Sequence, residues 1–340
     1  MKILPNYDKA FIPTTSIQRL KERAEIIRKI RDYFELHGFL EVETPILSRD
    51  TIVDRYLEPI EIDDGGCPYY LQTSPEFAMK RLLAAGATAI FQITRVFRKG
   101  DFGQIHNPEF TMLEWYRVGD NYEAGIAFLI DLIHTILQRE KANIVTLREL
   151  FDEHVHLNPH TVSCREFYEF VQNRQIPFPD SFSAEEQTRE DWVDLIFSEI
   201  IQPQLGYREP IIVTDYLATQ SQLAKTRTVA VSETGNGNNR DDTAFQVAER
   251  FELFVDGLEL ANGYHELLDA NVLRERIRKT NMLRASDGKK KLPEESRLLA
   301  AMRHGLPTCS GCAMGIDRLL MAALGTKKIA DVMPFTWDIA

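Results

Sequence analysis

Residues 249–266 read ERFELFVDGLELANGYHE, and the placement of the other chemistry-bearing residues follows from how this stretch folds. Two strand-like runs flank Asp256-Gly257, a dipeptide suited to a two-residue type I′ turn, so the pattern predicts a β-hairpin. With those two residues as the turn, Phe254 faces Glu259, and Glu252 lies diagonal to Glu259 on the same face. Diagonal neighbours are roughly 7–8 Å apart, so one or two hard cations can be held between these carboxylates. Further on, Asn262, Tyr264 and Glu266 alternate at period two and share a face. An amide, an aromatic wall and a carboxylate suit a small amine-bearing cation. Strict alternation turns this second set away from Glu259. A single pocket therefore requires a bulge, expected near Asn262-Gly263 because a glycine within a strand favours one. The competing reading is an amphipathic hairpin with a solvated acidic face.

Working outward, a chain of 340 residues can form one large domain or two modest ones. Its 44% hydrophobic and 27% charged content is that of a soluble globular protein. No apolar run approaches the ~20 residues that a membrane helix requires; the longest candidate, 127–137, is broken by Asp131 and His134. The start, MKILPNYDKA, lacks an apolar signal core. These features predict a cytoplasmic protein with reduced thiols and no membrane partner. A net charge of −11 without a basic stripe argues against broad binding to nucleic acid, tRNA or DNA. The run Lys289-Lys290-Lys291 is short and lies beside Asp287 and Glu294-Glu295. Cys309-Ser310-Gly311-Cys312 resembles half of a zinc or redox site, but Cys67 and Cys164 are lone and complete no second pair. Close approach of backbone to a ligand accounts better for that small-residue run.

Over 17–37, apolar residues recur at helical spacing and Gly38 is placed to end the helix. Residues 39–43 (FLEVE) read as a strand stopped by Thr44-Pro45. Ser74 suits an N-cap and Pro75 the first turn of a helix over 77–85, with Glu76 complementing the helix dipole. Strands are predicted over 90–98 and 107–116, joined by the polar loop 99–106. On the second, Phe110, Met112, Glu114 and Tyr116 share one face, and Thr111, Leu113 and Trp115 the other. Both faces are largely apolar, which predicts a central strand, where the Glu114 carboxylate needs a partner. Arg98, at the end of its strand, can present a planar fork to phosphate; an internal Glu–Arg pair is the alternative. A helix is predicted over 121–139, short helices over 145–205 and a mobile polar loop over 232–242 (SETGNGNNRDD). Residues 311–320 (GCAMGIDRLL) pass from a small-residue strand into a helix whose first turn carries Arg318, an arrangement that suits an anionic ligand.

Residues 38–45 (GFLEVETP), 97–116 (FRKGDFGQIHNPEFTMLEWY) and 311–320 resemble motifs 1, 2 and 3 of the class II aminoacyl-tRNA synthetases, in order and spacing, over about residues 17–335. The resemblance implies an α+β fold, a mainly antiparallel sheet flanked by helices. It implies an N-terminal extension over 1–16 and a catalytic domain over 17–340, with a helical insertion around 145–205 and a mobile loop around 226–242. Within the class, HNPEFTMLEWY, TSPEFAMKRLL and ELANGYHEL are similar to the lysyl-tRNA synthetases. The chain begins just ahead of motif 1, with no room for their anticodon-binding barrel. It therefore looks closer to their short paralogues, which attach β-lysine to a lysine of elongation factor P.

Roles follow from that resemblance by position. Arg98 would hold the α-phosphate of ATP and Arg318 the γ-phosphate, with Phe110 stacking on adenine and His106 near the phosphates. Lys99, Gly100, Asn107 and Gly315 complete the ATP-binding set. Glu252 and Glu259 would bind Mg2+. Glu76, Glu114, Tyr116, Asn262, Tyr264, Glu266 and Ala313 would form a pocket for β-lysine or lysine. Ala313 stands where lysyl-tRNA synthetases have glycine, and its methyl should change which isomer fits. Gly100 replaces the usual acidic residue, for which Asp101 can substitute. The expectation is an ATP-dependent ligase forming an aminoacyl-adenylate and using elongation factor P as acceptor, a homodimer through motif 1. The alternatives are a truncated enzyme charging tRNA and a non-catalytic regulatory subunit; retention of both arginines and both metal carboxylates argues against the second.

Overall fold

The computed structural model describes residues 11–178, 182, 187–229 and 244–340. In chain order, α1 (Ile17–Leu36) precedes the short strands β1 (Leu40–Glu41), β2 (Leu47–Ser48), β3 (Glu61–Ile62) and β4 (Tyr69–Leu71). Helix α2 (Glu76–Ala84) leads to the long strands β5 (Ala89–Phe97) and β6 (Glu109–Val118) and to α3 (Tyr122–Leu137). Then come β7 (Asn143–Thr146), α4 (Leu147–Val155), α5 (Cys164–Asn173), α6 (Arg189–Ile196), β8 (Ile211–Leu217) and β9 (Thr226–Val229). The hairpin β10 (Phe245–Val255) and β11 (Leu258–His265) is followed by α7 (Ala270–Ser286), α8 (Arg297–Gly305), β12 (Cys309–Gly315) and α9 (Ile316–Leu324). The chain divides into two compact units, residues 1–119, 135–137 and 268–340, and residues 120–134 and 138–267.

In the first unit the strand order is β1-β5-β6-β12, with β1 parallel to β5 and the other neighbours antiparallel. A separate small sheet runs β2-β4-β3. The two apolar faces of β6 do make it central, between β5 and β12. Helix α1 starts where the Ser16 side chain accepts the Arg19 N–H, and buries Ile30, Tyr33 and Phe34. The Phe34 ring stacks on Phe91 at 4.7 Å and meets Trp115 edge-on at 5.4 Å. Each such side chain contributes about 1.5–3 kcal/mol by leaving water. Gly38 ends this segment at φ +76, as the sequence predicts. The strand expected over 39–43 is shorter, although the Val42 N–H still bonds to the Phe91 carbonyl; Pro45 then withholds a donor. At α2 the cap position falls on Pro75 and not on Ser74, whose hydroxyl accepts the Glu76 N–H at 3.0 Å. The strand expected over 107–116 runs two residues later, since Pro108 has no N–H to contribute to the ladder.

In the second unit the order is β11-β10-β8-β7, and β9 also pairs with β10. The helices expected over 145–205 are present as α4, α5 and α6, each opened by a capping box: Thr146 with Glu149, Ser163 with Glu166 and Thr188 with Asp191. They close over their own core, in which Phe151, Phe167 and Trp192 are fully buried. The strands β7 and β8, which the sequence reading passed over, provide the sheet face beneath it; β8 carries Val213, Tyr216 and Leu217 into that core. Of the loop expected around 226–242, residues 226–229 form β9 and the remainder lies outside the described residues, as do residues 1–10 of the expected extension. Among the described residues, no helix is long and apolar enough to cross a membrane.

Candidate active site

Arg98 follows β5 directly, and its N–H bonds to the Pro108 carbonyl at 2.8 Å. Its guanidinium lies 5.0 Å from the centroid of the Phe110 ring, a cation–π contact. Val96 pairs with Phe110 in the strand register, so the hairpin itself holds ring and arginine together. Gly100 adopts φ +88 with open space around a would-be Cβ. A positive φ, not crowding, calls for glycine here, and this is a local reason for its standing where an acidic residue is usual. His106 Nε2 accepts from Arg318 Nη2 at 2.6 Å, which puts the ring proton of His106 on Nδ1. Arg318 Nε also donates to the Ile105 carbonyl at 3.4 Å. Asn107 donates to the Glu109 carbonyl at 2.6 Å and accepts from the Trp337 N–H at 3.0 Å.

Helix α9, which carries Arg318, begins at Gly315 without a side-chain cap, so its first N–H groups are not covered by a capping oxygen. Its position is fixed by Asp317, which accepts from Arg23 Nη1 at 2.6 Å and from the Thr111 N–H at 2.7 Å. Arg23 and Asp317 were not singled out from the sequence. The signal for Asp317 was its place beside Arg318 in the first turn of a helix that is apolar from Leu319 on.

Glu114 is 1% exposed at the middle of β6. Its cross-strand neighbours, Gln92 on β5 and Ala313 on β12, are neutral. The carboxylate is instead met on its own face: Ser74 Oγ donates to Oε2 and Tyr116 Oη to Oε1, both at 2.6 Å. Arg98 is not its partner, so the internal Glu–Arg alternative fails. Burial pushes the Glu114 carboxyl up to about 7, with the charge of Glu76 acting in the same direction and Ser74, Tyr116 and Lys80 acting against it. Glu76, at the start of α2, is buried and accepts from Lys80 Nζ at 2.5 Å. Glu76, Glu114 and Tyr116 thus form one buried acidic cluster, with Ala313 at the adjacent strand position. Ser74 and Lys80 complete it and were not singled out as pocket members.

The hairpin of the second unit has its turn at Asp256 and Gly257, with φ +52 and +78, the signs a type I′ turn requires. Phe254 stands opposite Glu259 as predicted, but Leu253 stands opposite Ala261, so Leu260 is an extra residue. The β-bulge is therefore three residues earlier than Gly263, which keeps regular pairing with Phe251. The bulge follows immediately once the two-residue turn has fixed the pairs Val255–Leu258 and Phe254–Glu259. Beyond it Glu252 pairs with Asn262 and Arg250 with Tyr264. Glu252 and Glu259 line one cavity of about 220 Å³ with Tyr216, Arg250, Asp194 and Gln220. Glu252 accepts from Tyr216 Oη at 2.5 Å and is in close contact with Arg250 Nη2. Arg250 also reaches Asn262 Oδ1 at 3.3 Å and the Gln220 carbonyl at 3.2 Å, and lies 4.6 Å from the Tyr216 ring centroid. Burial pushes the Glu252 carboxyl up, and Glu259 adds to this, against the pull of Arg250. Tyr264 Oη donates to Gln222 at 2.8 Å, while the 1% exposed Glu266 is bridged by backbone to Ala224. Arg250 and Tyr216 were missed, though the spacing Arg250-x-Glu252 places both side chains on one strand face.

Among the described residues, no group of three or more His, Cys, Asp or Glu side chains is arranged to hold a metal ion. Two carboxylates on one cavity nevertheless fit magnesium, which is bound through one or two carboxylates while phosphate oxygens and water complete its octahedron. Carboxylate oxygens that already accept from Tyr216 and Arg250 keep lone pairs for a cation.

Residues 11–338 match the model of the class II tRNA synthetases (D, K and N). A curated protein of Pectobacterium carotovorum subsp. carotovorum, named elongation factor P–(R)-β-lysine ligase, is 38% identical over 96% of this chain and 98% of its own length. Proteins of the same name from Salmonella arizonae and Pectobacterium atrosepticum are 37% and 38% identical over the same shares.

Proposed function

This chain belongs to the class II tRNA synthetases of the D, K and N type, and from that premise we propose that it activates (R)-β-lysine with ATP and transfers it to elongation factor P. The α+β, mainly antiparallel fold is that of the family. In the first step a carboxylate oxygen of β-lysine attacks the α-phosphorus of ATP; the bond to the β-phosphate oxygen breaks and pyrophosphate leaves. In the second, the neutral ε-amine of a lysine on elongation factor P attacks the acyl carbon. The bond to AMP breaks, and the amine gives up a proton as the amide forms. Neither step requires a covalent bond to the enzyme, so catalysis is positioning and electrostatic stabilisation.

Arg98 is assigned to the α-phosphate, where negative charge shifts during attack, and Arg318, steadied by His106, to the γ-phosphate. One face of Phe110 carries Arg98, and adenine is assigned to the other. Lys99, Gly100 and Gly315 are assigned to ATP. Glu252 and Glu259 would hold magnesium, which would supply positive charge against the leaving pyrophosphate. Glu76, Glu114, Tyr116, Asn262, Tyr264 and Glu266 are assigned to the amino acid. The observation that carries the assignment is the buried carboxyl of Glu114 in a central strand, held by two hydroxyls and, among the described residues, without an arginine partner. Such a group is costly unless a cation comes to it.

ATP–pyrophosphate exchange with (R)-β-lysine, (S)-β-lysine and α-lysine tests the activation step, and exchange with none of them rules it out. Acylation of elongation factor P compared with tRNA tests the acceptor. Transfer to tRNA alone would favour the tRNA-charging alternative. We assign a homodimer to the exposed apolar edge formed by α1 and β1.

A further inference from the structure

Lys80 is 1% exposed and among the largest fully buried side chains of the described chain. An ammonium group so placed costs several kcal/mol unless it is paired, and a methionine or leucine would fill the space without that cost. The helical spacing of four residues brings its Nζ to 2.5 Å from Glu76 Oε1. The same Nζ lies 5.7 Å from the centroid of the Tyr116 ring, whose hydroxyl is bonded to Glu114. The proposed reaction gives this lysine no part. It lies beside both carboxylates assigned to the substrate.

We propose that Lys80 sets the charge, and so the ligand capacity, of this pocket: it saturates Glu76, leaving Glu76, Glu114 and Lys80 with one net negative charge that takes a single ammonium group of the amino acid. The proposal rests on the reading of the pocket as an amino-acid site. Two buried carboxylates without Lys80 would share a proton between them, and an incoming ammonium would have to displace it. With Lys80 bonded to Glu76, the Glu114 carboxyl, which burial pushes up, is the one left to meet the ligand. The groups facing it are Glu76 and Lys80 from α2, the Ser74 hydroxyl ahead of α2, and Tyr116 on its own strand. The neighbouring strands supply only Gln92 and Ala313, which are neutral. Lys80 is thus a specificity-determining residue that acts through the two carboxylates.

The test uses the full chain as wild type, Lys80→Arg and Lys80→Met, with Lys80→Gln in reserve should Lys80→Met fail to fold. In ATP–pyrophosphate exchange with (R)-β-lysine, kcat/KM should rise with pH through about 7 in the wild type, as Glu114 ionises. Lys80→Arg should keep that inflection. Lys80→Met should move it up by about one pH unit or more, with kcat/KM at neutral pH lower by about tenfold. A profile of Lys80→Met that coincides with the wild type overturns the proposal, whatever happens to its melting temperature. A second readout needs no turnover: the infrared carbonyl stretch of the protonated Glu114 carboxyl in unliganded protein, identified by its loss in Glu114→Gln. Persistence of that band to higher pH in Lys80→Met supports the charge role even if no lysine isomer is activated, an outcome that would remove the proposed function alone. The same titration midpoint in both proteins overturns the charge role.

Discussion

Glu252 stands directly opposite Asn262 across the β10–β11 hairpin, and it does so because Leu260 is inserted between the residue that faces Phe254 and the one that faces Leu253. Side chains alternate with period two, so one extra residue reverses the face of everything beyond it. Without Leu260, Glu259 would keep its place beside the turn while Asn262, Tyr264 and Glu266 turned to the other face. Deleting Leu260 should therefore lower ATP–pyrophosphate exchange by about a hundredfold or more, since misplaced substrate contacts cost at least that. Leu260 is 3% exposed, and Leu260→Ala, which keeps the register, should cost only stability, about 2–5 kcal/mol. Urea unfolding and exchange assays on both variants check this. Equal loss of activity in the two would argue that bulk at Leu260, not register, is what matters.

Much of this hairpin was legible in the sequence, because Asp256-Gly257 and the alternation around it are local signals. The central place of β6 was legible too, from apolar residues on both of its faces. The position of the bulge was not. Gly263 invites one, but register is settled by the turn on one side and by pairing of β10 with β8 on the other, where a second shift falls between Ala248 and Phe251. That pairing joins residues remote in sequence. Strand β8 itself went unread although Ile211–Leu217 (IIVTDYL) is β-branched and aromatic, because it follows a run of helices. The partners of the acidic residues were legible only in part. Lys80 lies four residues beyond Glu76, and Arg250 two before Glu252, both plain spacings. Ser74 and Tyr216 come from other elements and carry no such local mark.

Leu36 and Leu40, 84% and 63% exposed, lie at the end of α1 and in β1, with Ile17 at 64% on the same helix. Apolar side chains this open at an edge strand invite a partner. The double substitution Leu36→Glu, Leu40→Glu should convert a dimer to a monomer in sedimentation velocity without lowering the melting temperature of the monomer. A wild-type protein that sediments as a monomer at all concentrations would remove the assignment.

Tyr216 Oη donates to one oxygen of Glu252 and Arg250 approaches the other. The carboxylate is thereby fixed in rotation before any cation arrives, the kind of support whose loss lowers metal affinity by about 10–100-fold. Tyr216→Phe should raise the magnesium concentration for half-maximal exchange by about tenfold, at the low end because Arg250 remains. KM for the amino acid should be little altered. An unchanged magnesium dependence would mean that Glu252 does not hold the metal.

Asp194, on α6, lines the same cavity and accepts from Gln220 Nε2 at 2.7 Å. Burial pushes its carboxyl up to about 7, with Arg250 pulling down and Glu252 pushing further up. A carboxyl that binds its proton more tightly when folded adds stability below its unfolded pKa, near 4. That stability drains away as pH rises through the folded value. Relative to Asp194→Asn, which cannot titrate, the wild type should therefore lose up to about 4 kcal/mol of unfolding free energy between pH 4 and pH 7. Denaturant titrations of both proteins across that window measure the difference. A difference that stays flat would show that Asp194 titrates alike in the folded and unfolded chains, and that water or a cation reaches it in the cavity. A difference that grows in the opposite direction would show its charge to be favoured by Arg250 over the cost of burial.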